Sequence, residues 1–466
     1  MGGLARTSLL ACLLALVACS AARADAPLPA DYFGMNVNRV LFDDPSATHT
    51  VPLAVARAAG ATHGRIDFPW DAVQPKGPHT ARYDWTDEAV TALADEDLVA
   101  TPMLGYSAPW AAYTPGNTKT PPRNVAQYAA FAQLMVVRYG PNGTFWHTHP
   151  HVPYLPVTRW EIWNEPNLTQ MFWQTGRDPA AYASLYLAAR AAIKAVDPAA
   201  KVIVGGMSSN DIGFVADMYS ADPALRGNVD GLGIHPYARS VDGVLQAVRG
   251  FRAVLDAEGE TGVPMEVTEM GWQRQGNSNL SVDEATRAAD MVEVTNALAH
   301  SDCGIDAFEP YTWETSEQDP VDGEDWYGMY SPTQGLLPTG QAYASAVAGY
   351  ASPEARAAAR STGEWHICHP LASPLSVQVQ TRGARLRLQA SSYGRGVKSA
   401  LLAVRLVGKT RQRVVVLVTG SHGYVYYRPA HTIQRVSVTA AATGFATSHA
   451  VDHRMARAAA HKLPRR

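Results

Sequence analysis

The sequence predicts an α/β protein, a (β/α)8 TIM barrel followed by a small all-β sandwich. Three observations carry that expectation. Short β-like runs alternate eight times with longer Ala-rich helical runs between about residues 30 and 350. Chemically reactive side chains gather where the β-like runs end. The composition then changes: 21 Lys/Arg face 39 Asp/Glu before residue 351, whereas 18 Lys/Arg face only 3 Asp/Glu from there to residue 466. A swing from net negative to net positive marks a domain boundary. The length and the 47% apolar content suit one enzyme-sized domain plus a smaller one.

The β-like runs are 32–37, 62–67, 98–105, 157–163, 201–206, 230–235, 264–269 and 304–311. Helical patterns fall near 52–59, 85–96, 123–138, 179–195, 211–219, 241–257, 282–299 and 340–348. Alternation of this kind means a parallel sheet. Eight units in about 320 residues close into a barrel more readily than they form an open sheet. The catalytic domain is therefore expected at 25–350, with a linker at 351–372. Seven short β-like runs follow, at 375–380, 384–390, 400–407, 413–419, 424–428, 434–440 and 444–451, with polar or Gly turns. They suggest an immunoglobulin-like β-sandwich over 373–452, ending in a basic tail at 453–466.

Residues 1–24 read as an export signal. Arg6 precedes an apolar run at 9–19, too short to span a bilayer comfortably, and small residues follow. Two processing sites compete. Ala22-Arg23-Ala24 suits a signal peptidase, while Leu16-Val17-Ala18-Cys19 resembles a lipobox whose Cys19 would carry lipid. The chain is expected to be exported: secreted, periplasmic or tethered as a lipoprotein. Cys12 lies inside the signal. Cys303 and Cys368 are left as either a disulfide or two buried thiols. Nothing in the pattern indicates zinc or another cofactor.

The stretch 160-WEIWNEPN-167 holds Glu165 between Asn164 and Pro166 at the end of the fourth β-run. Pro166 biases Glu165 away from the helical region. Asn164 offers an amide suited to a sugar hydroxyl, and the nearby Trp160 and Trp163 would raise the pKa of a shielded carboxyl. Glu269 ends the seventh run, across the barrel mouth from the fourth. Hydrolysis of a glycosidic bond needs two such carboxyls flanking one scissile bond. Glu266 is the rival to Glu269, but strand alternation turns it toward the strand–helix layer or an ion pair of its own. Tyr106, Trp110, Tyr113, Trp173, Trp272, Tyr311, Trp313, Trp326 and Tyr327 crowd the expected mouth, half of them as packing and the rest as sugar platforms. Asn36 and Asn38, ending the first run, are candidate hydroxyl binders, and Trp110 and Trp313 the foremost aromatic ones. His147, His149 and His151 read as a surface loop rather than a metal site. The loop 314–335 is long and acidic, a candidate cleft wall.

These residues resemble the retaining (β/α)8 glycoside hydrolases of clan A, and most of all glycoside hydrolase family 39, the group of β-xylosidases and bacterial exopolysaccharide endoglycosidases. The resemblance covers about 30–350. It implies that Glu165 is the acid/base and Glu269 the nucleophile. It further implies that Arg65 holds the nucleophile ionised, that His235 and Tyr237 bind near strand six, and that Trp313 is the floor under the sugar ring. The reaction implied is retaining hydrolysis of a β-linked oligo- or polysaccharide. A transglycosylase with the same pair, or a non-catalytic carbohydrate-binding barrel, is the alternative. The basic sandwich would dock on the acidic barrel or meet an anionic glycan or cell surface; nucleic acid is not an expected partner.

Overall fold

The computed structural model describes residues 26–42, 50–276, 278–361, 366–369, 373–382, 385–392, 395–409, 412–430, 432–441, 445–446 and 451–454. Residues 1–25, which hold the stretch read as an export signal with Cys12 and Cys19, and the tail from 455, lie outside the described residues. The chain divides into two units, 1–368 and 369–466.

The first unit contains a single eight-stranded parallel sheet in sequential order. Its strands are β1 (Met35–Asn36), β2 (His63–Pro69), β3 (Val99–Gly105), β4 (Arg159–Asn164), β5 (Lys201–Ser208), β6 (Gly231–His235), β7 (Met265–Val267) and β8 (Ile305–Phe308). Phe33 pairs in parallel with Phe308, so β8 returns to the start of β1 and the barrel closes. Eight principal helices intervene: α1 (Thr50–Ala58), α2 (Asp84–Asp95), α3 (Val125–Tyr139), α4 (Pro179–Val196), α5 (Gly213–Ala221), α6 (Val241–Ala257), α7 (Glu284–His300) and α8 (Pro338–Ala348). Their starts follow side-chain chemistry. Asn124, Asp178, Ser240 and Asp283 each accept a hydrogen bond from a first-turn N–H of α3, α4, α6 and α7. The helices bury Tyr128, Phe131, Tyr182, Leu185, Phe251 and Val294 against the barrel.

The lumen is polar rather than oily. His63 of β2 and Thr101 of β3 both reach Glu309 just after β8, at 2.8 and 3.0 Å. Arg159 of β4 reaches Glu266 of β7 at 3.4 Å. Such contacts between non-adjacent strands cross only through the lumen. Glu266 therefore has the ion pair expected of it, but it faces the barrel interior, not the strand–helix layer.

The stretch read as a linker carries a further helix, α9 (Pro353–Ser361), in the first unit. Buried Arg360 donates to the Ile305 carbonyl, and Cys368 is bonded to Cys303. An Ala- and Arg-rich segment lacks an apolar stripe, so its sequence does not show that it packs. The disulfide closes 65 residues, which in the chain-entropy account is worth roughly 4 kcal/mol. Cys303→Ser/Cys368→Ser should lower the urea midpoint of the barrel accordingly; an unchanged midpoint would show that the cross-link is not stabilising.

The second unit has two four-stranded antiparallel sheets. One holds Ser376–Arg382, Arg385–Ser392, Arg395–Gly396 and Tyr424–Tyr427; the other holds Gln412–Val418, Leu401–Val407, Arg435–Ala441 and Val451–Arg454. Period-two alternation builds their shared core: Leu386, Leu388 and Ala390 from the first sheet meet Leu402, Val404, Val436 and Val438 from the second. Among the described residues no helix is long and apolar enough to cross a membrane.

Candidate active site

The C-terminal ends of β2, β4, β6 and β7 converge on one buried cluster. Arg65 is its hub. Its Nε donates to Glu161 Oε2 at 2.6 Å, Nη1 to Glu269 Oε1 at 2.7 Å, and Nη2 to Asn164 Oδ1 at 2.9 Å. Tyr237 donates to Glu269 Oε2 at 3.0 Å. His235 Nδ1 lies 3.0 Å from Glu165 Oε1 and 3.4 Å from Glu269 Oε2. Those two carboxylate oxygens are therefore at most 6.4 Å apart, the sum of the two distances.

Local backbone explains how Glu165 reaches this position. Trp163 and Glu165 both have left-handed φ values, 68° and 42°, a conformation that costs about 1–3 kcal/mol in a non-Gly residue. Hydrogen bonds hold the turn: Glu165 N donates to the Gly206 carbonyl and Leu168 N to the Glu165 carbonyl, each at 2.9 Å. The neighbouring strand must come very close. A Cβ on Gly205 would sit 2.2 Å from the Trp163 carbonyl oxygen, and one on Gly206 1.9 Å from His235 Nε2. Glycine is the residue that fits both places.

The electrostatics separate the two carboxyls. Burial pushes Glu165 up to about 8, with Arg65 opposing and Glu161 adding to the rise. Burial also raises Glu269, and the Arg65 guanidinium pulls it back. Burial lowers His235 and favours its neutral form. The hydrogen-bond chain assigns the tautomer. Thr268 Oγ1 donates to Glu161 at 3.4 Å, so it accepts from His235 Nε2 at 3.1 Å. Nδ1 is then the acceptor facing a protonated Glu165.

Six residues singled out in the sequence meet here: Arg65, Asn164, Glu165, His235, Tyr237 and Glu269. Four others do not. Trp313 is fully buried, with its Nε1 on the Pro52 carbonyl and its ring stacked on Tyr330; it offers no face to a sugar. Trp272 is 1% exposed and donates to the Ala238 carbonyl. Asn36 is fully buried, its carbonyl accepting from Thr312 and Trp313 at the β1–β8 seam. Trp110 packs edge-on against Trp70 and donates to the Gln74 carbonyl. Each indole donates to a backbone carbonyl; Trp272 and Trp313 are enclosed, whereas Trp110 stays half-buried. Asn38 and Asp67 hold one another, through Asn38 Nδ2 on Asp67 Oδ1 and Asp67 N on Asn38 Oδ1.

The ring beside the nucleophile side is Tyr311, edge-on to Tyr237 and Tyr327 at 6.4 and 5.2 Å. Its hydroxyl donates to Glu324, so the loop 314–335 does reach this wall. Sequence reasoning missed Glu161 and Thr268. Glu161 is two and four residues before Trp163 and Glu165, on the same strand parity, and that alternation was the available signal.

A closed (β/α)8 barrel with a carboxyl pair held over an arginine at the C-terminal mouth defines the class of protein. No family model and no curated protein matches the sequence. Solved structures match the fold. A family 39 glycoside hydrolase from Bacteroides cellulosilyticus WH2 aligns over 86% of this chain and 79% of its own, at 18% identity and TM-score 0.51. A GH39 β-xylosidase from Caulobacter crescentus aligns over 83% and 85%, at 19% identity and TM-score 0.51. The GH5_18 structure from Streptomyces cattleya, in complex with GlcNAc, aligns over 72% and 88%, at 15% identity and TM-score 0.54. At such identities the likeness is one of fold: this chain has the barrel that these proteins share.

Proposed function

We propose that the first unit is a retaining glycoside hydrolase acting on a β-linked oligo- or polysaccharide. The observation that carries this reading is a single imidazole nitrogen of His235 touching both carboxyls, 3.0 Å from Glu165 and 3.4 Å from Glu269. The upper bound these distances set admits the roughly 5–5.5 Å at which one carboxylate attacks while the other protonates the leaving oxygen, and falls just short of the roughly 6.5–9.5 Å by which inverting enzymes make room for a water. Glu269, with two donors on its oxygens, attacks the anomeric carbon. Glu165 gives its proton to the departing oxygen, then takes one from the water that cleaves the glycosyl ester. The fold shared with family 39 and family 5 glycoside hydrolases supports the same reading. An oxidising location outside the cytoplasm fits the Cys303–Cys368 bond and the apolar run at 9–19.

The test is hydrolysis of a panel of aryl β-glycosides and plant and bacterial polysaccharides, with Glu165→Ala beside the wild type. Glu165→Ala should lose about 10²–10⁴-fold on substrates with poor leaving groups. The acid form of Glu165 exists below its pKa, so wild-type kcat/KM should fall as pH rises through about 8. That limb should vanish in Glu165→Ala with an activated leaving group. The raised pKa also means that ionising Glu165 destabilises the fold. The stability associated with its neutral form is full below the ordinary carboxyl range and lost as pH rises through about 8. Glu165→Gln should therefore melt higher than wild type above that pH. A wild-type protein inert on every glycoside, or a basic limb unchanged by Glu165→Ala, would overturn the assignment.

A further inference from the structure

The loops after β3 and β4 are tied together at Lys119. Ser107 N donates to the Thr118 carbonyl at 3.0 Å, Lys119 N to Asn117 Oδ1 at 3.1 Å, and Gln174 N to the Lys119 carbonyl at 2.9 Å. Asn117 Nδ2 closes the link on Gln174 Oε1 at 2.9 Å. With its backbone pinned, the half-buried side chain turns back over the mouth. Its Nζ stands 3.0 Å from the centre of the Tyr106 ring and 5.0 Å from that of Phe172. Those rings are near-parallel, 5.8 Å apart.

The ammonium has aromatic neighbours but no hydrogen-bond or ion-pair partner among the described residues. Asp67 and Asp71 act on it only through space, and burial draws its pKa down to about 8. A cation–π contact does not satisfy N–H donors. Tyr106 joins Lys119 to the strand that carries the acid/base: its ring packs edge-on against Trp163, two residues before Glu165, with ring centres 5.2 Å apart.

We propose that Lys119, over the Tyr106–Phe172 platform, is the recognition group of a subsite for a negatively charged sugar, a uronic acid residue whose carboxylate meets the ammonium while its ring lies against the aromatics. The proposal rests on the glycosidase reading and gives it a substrate class: an acidic polysaccharide.

Binding tests it without turnover. D-glucuronate, D-galacturonate and D-mannuronate, each beside its neutral parent sugar, and inorganic sulfate are titrated calorimetrically into the full-length wild type, Lys119→Met and Lys119→Arg. At least one uronate should bind wild type 10-fold or more tighter than its neutral parent. The preference should disappear in Lys119→Met and return in Lys119→Arg, a rescue that a purely structural lysine would not show. Sulfate binding without uronate binding would overturn the uronate assignment and point to a sulfate ester in its place. Equal binding of acid and neutral sugars, no binding of any anion, or a preference that survives Lys119→Met overturns it. Hydrolysis of neutral aryl glycosides is a separate readout, so failure of the enzyme reading and failure of this subsite are told apart.

Discussion

Glu269→Gln should lower kcat/KM by on the order of 10⁴-fold or more, the scale of losing a covalent nucleophile, while leaving the protein folded. The amide carbonyl can still accept from Arg65 or Tyr237, which now donate at 2.7 and 3.0 Å. What is lost is the negative charge that, in the proposed mechanism, attacks the anomeric carbon. A sharper version uses Glu269→Ala with azide. The vacated space admits the small anion on the nucleophile's face, so the glycosyl azide formed has the configuration opposite to the substrate. Rescue of Glu165→Ala should give the retained configuration, because the azide replaces water against an intact glycosyl ester. Proton NMR of the products decides between them. A wild-type first product of inverted configuration would remove Glu269 from the nucleophile role.

Arg65→Met should be the most damaging single change to stability, by about 3–5 kcal/mol, because it strands buried carboxylates without their cation. Glu161 would keep only Gly206 N, at 2.6 Å, and the long Thr268 contact. Glu269 would lose the guanidinium charge that opposes the rise burial imposes on its pKa. Its pKa would move further up, and the acid limb of any pH–rate profile with it. Arg65→Lys should restore little. The guanidinium serves Glu161, Glu269 and Asn164 from three different nitrogens, a fork that a single ammonium cannot reproduce. Urea unfolding and the pH profile are the measurements. A variant within about 1 kcal/mol of wild type would mean that the lumen tolerates these charges without the arginine.

The eight strands and eight principal helices were legible from residue periodicity because each repeats its burial pattern locally. Runs such as 201–206 or 241–257 show their type within a dozen residues. The carboxyl pair was legible for a related reason: barrel topology puts strand ends at one mouth, so Glu165 and Glu269 converge once the strands are numbered. The aromatic assignments were far less legible. Trp110, Trp272 and Trp313 lie close in sequence to strand ends, yet each indole N–H finds a backbone carbonyl belonging to another segment. Tyr311, two residues before Trp313, is the ring that packs beside Tyr237 instead.

The sequence by itself determined the barrel architecture, the presence of a β-rich region after it and the convergence of the two carboxyls, since these depend on local pattern and strand order. Only the tertiary structure decided that α9 belongs to the first unit, that Cys303 and Cys368 join, that Glu161 and Thr268 complete the cluster, and that Lys119 turns back over Tyr106. These are contacts between residues up to 107 positions apart, as between Glu161 and Thr268. Burial and hydrogen-bond partners at that range are set by which strands face each other across the lumen, and no local window contains that information.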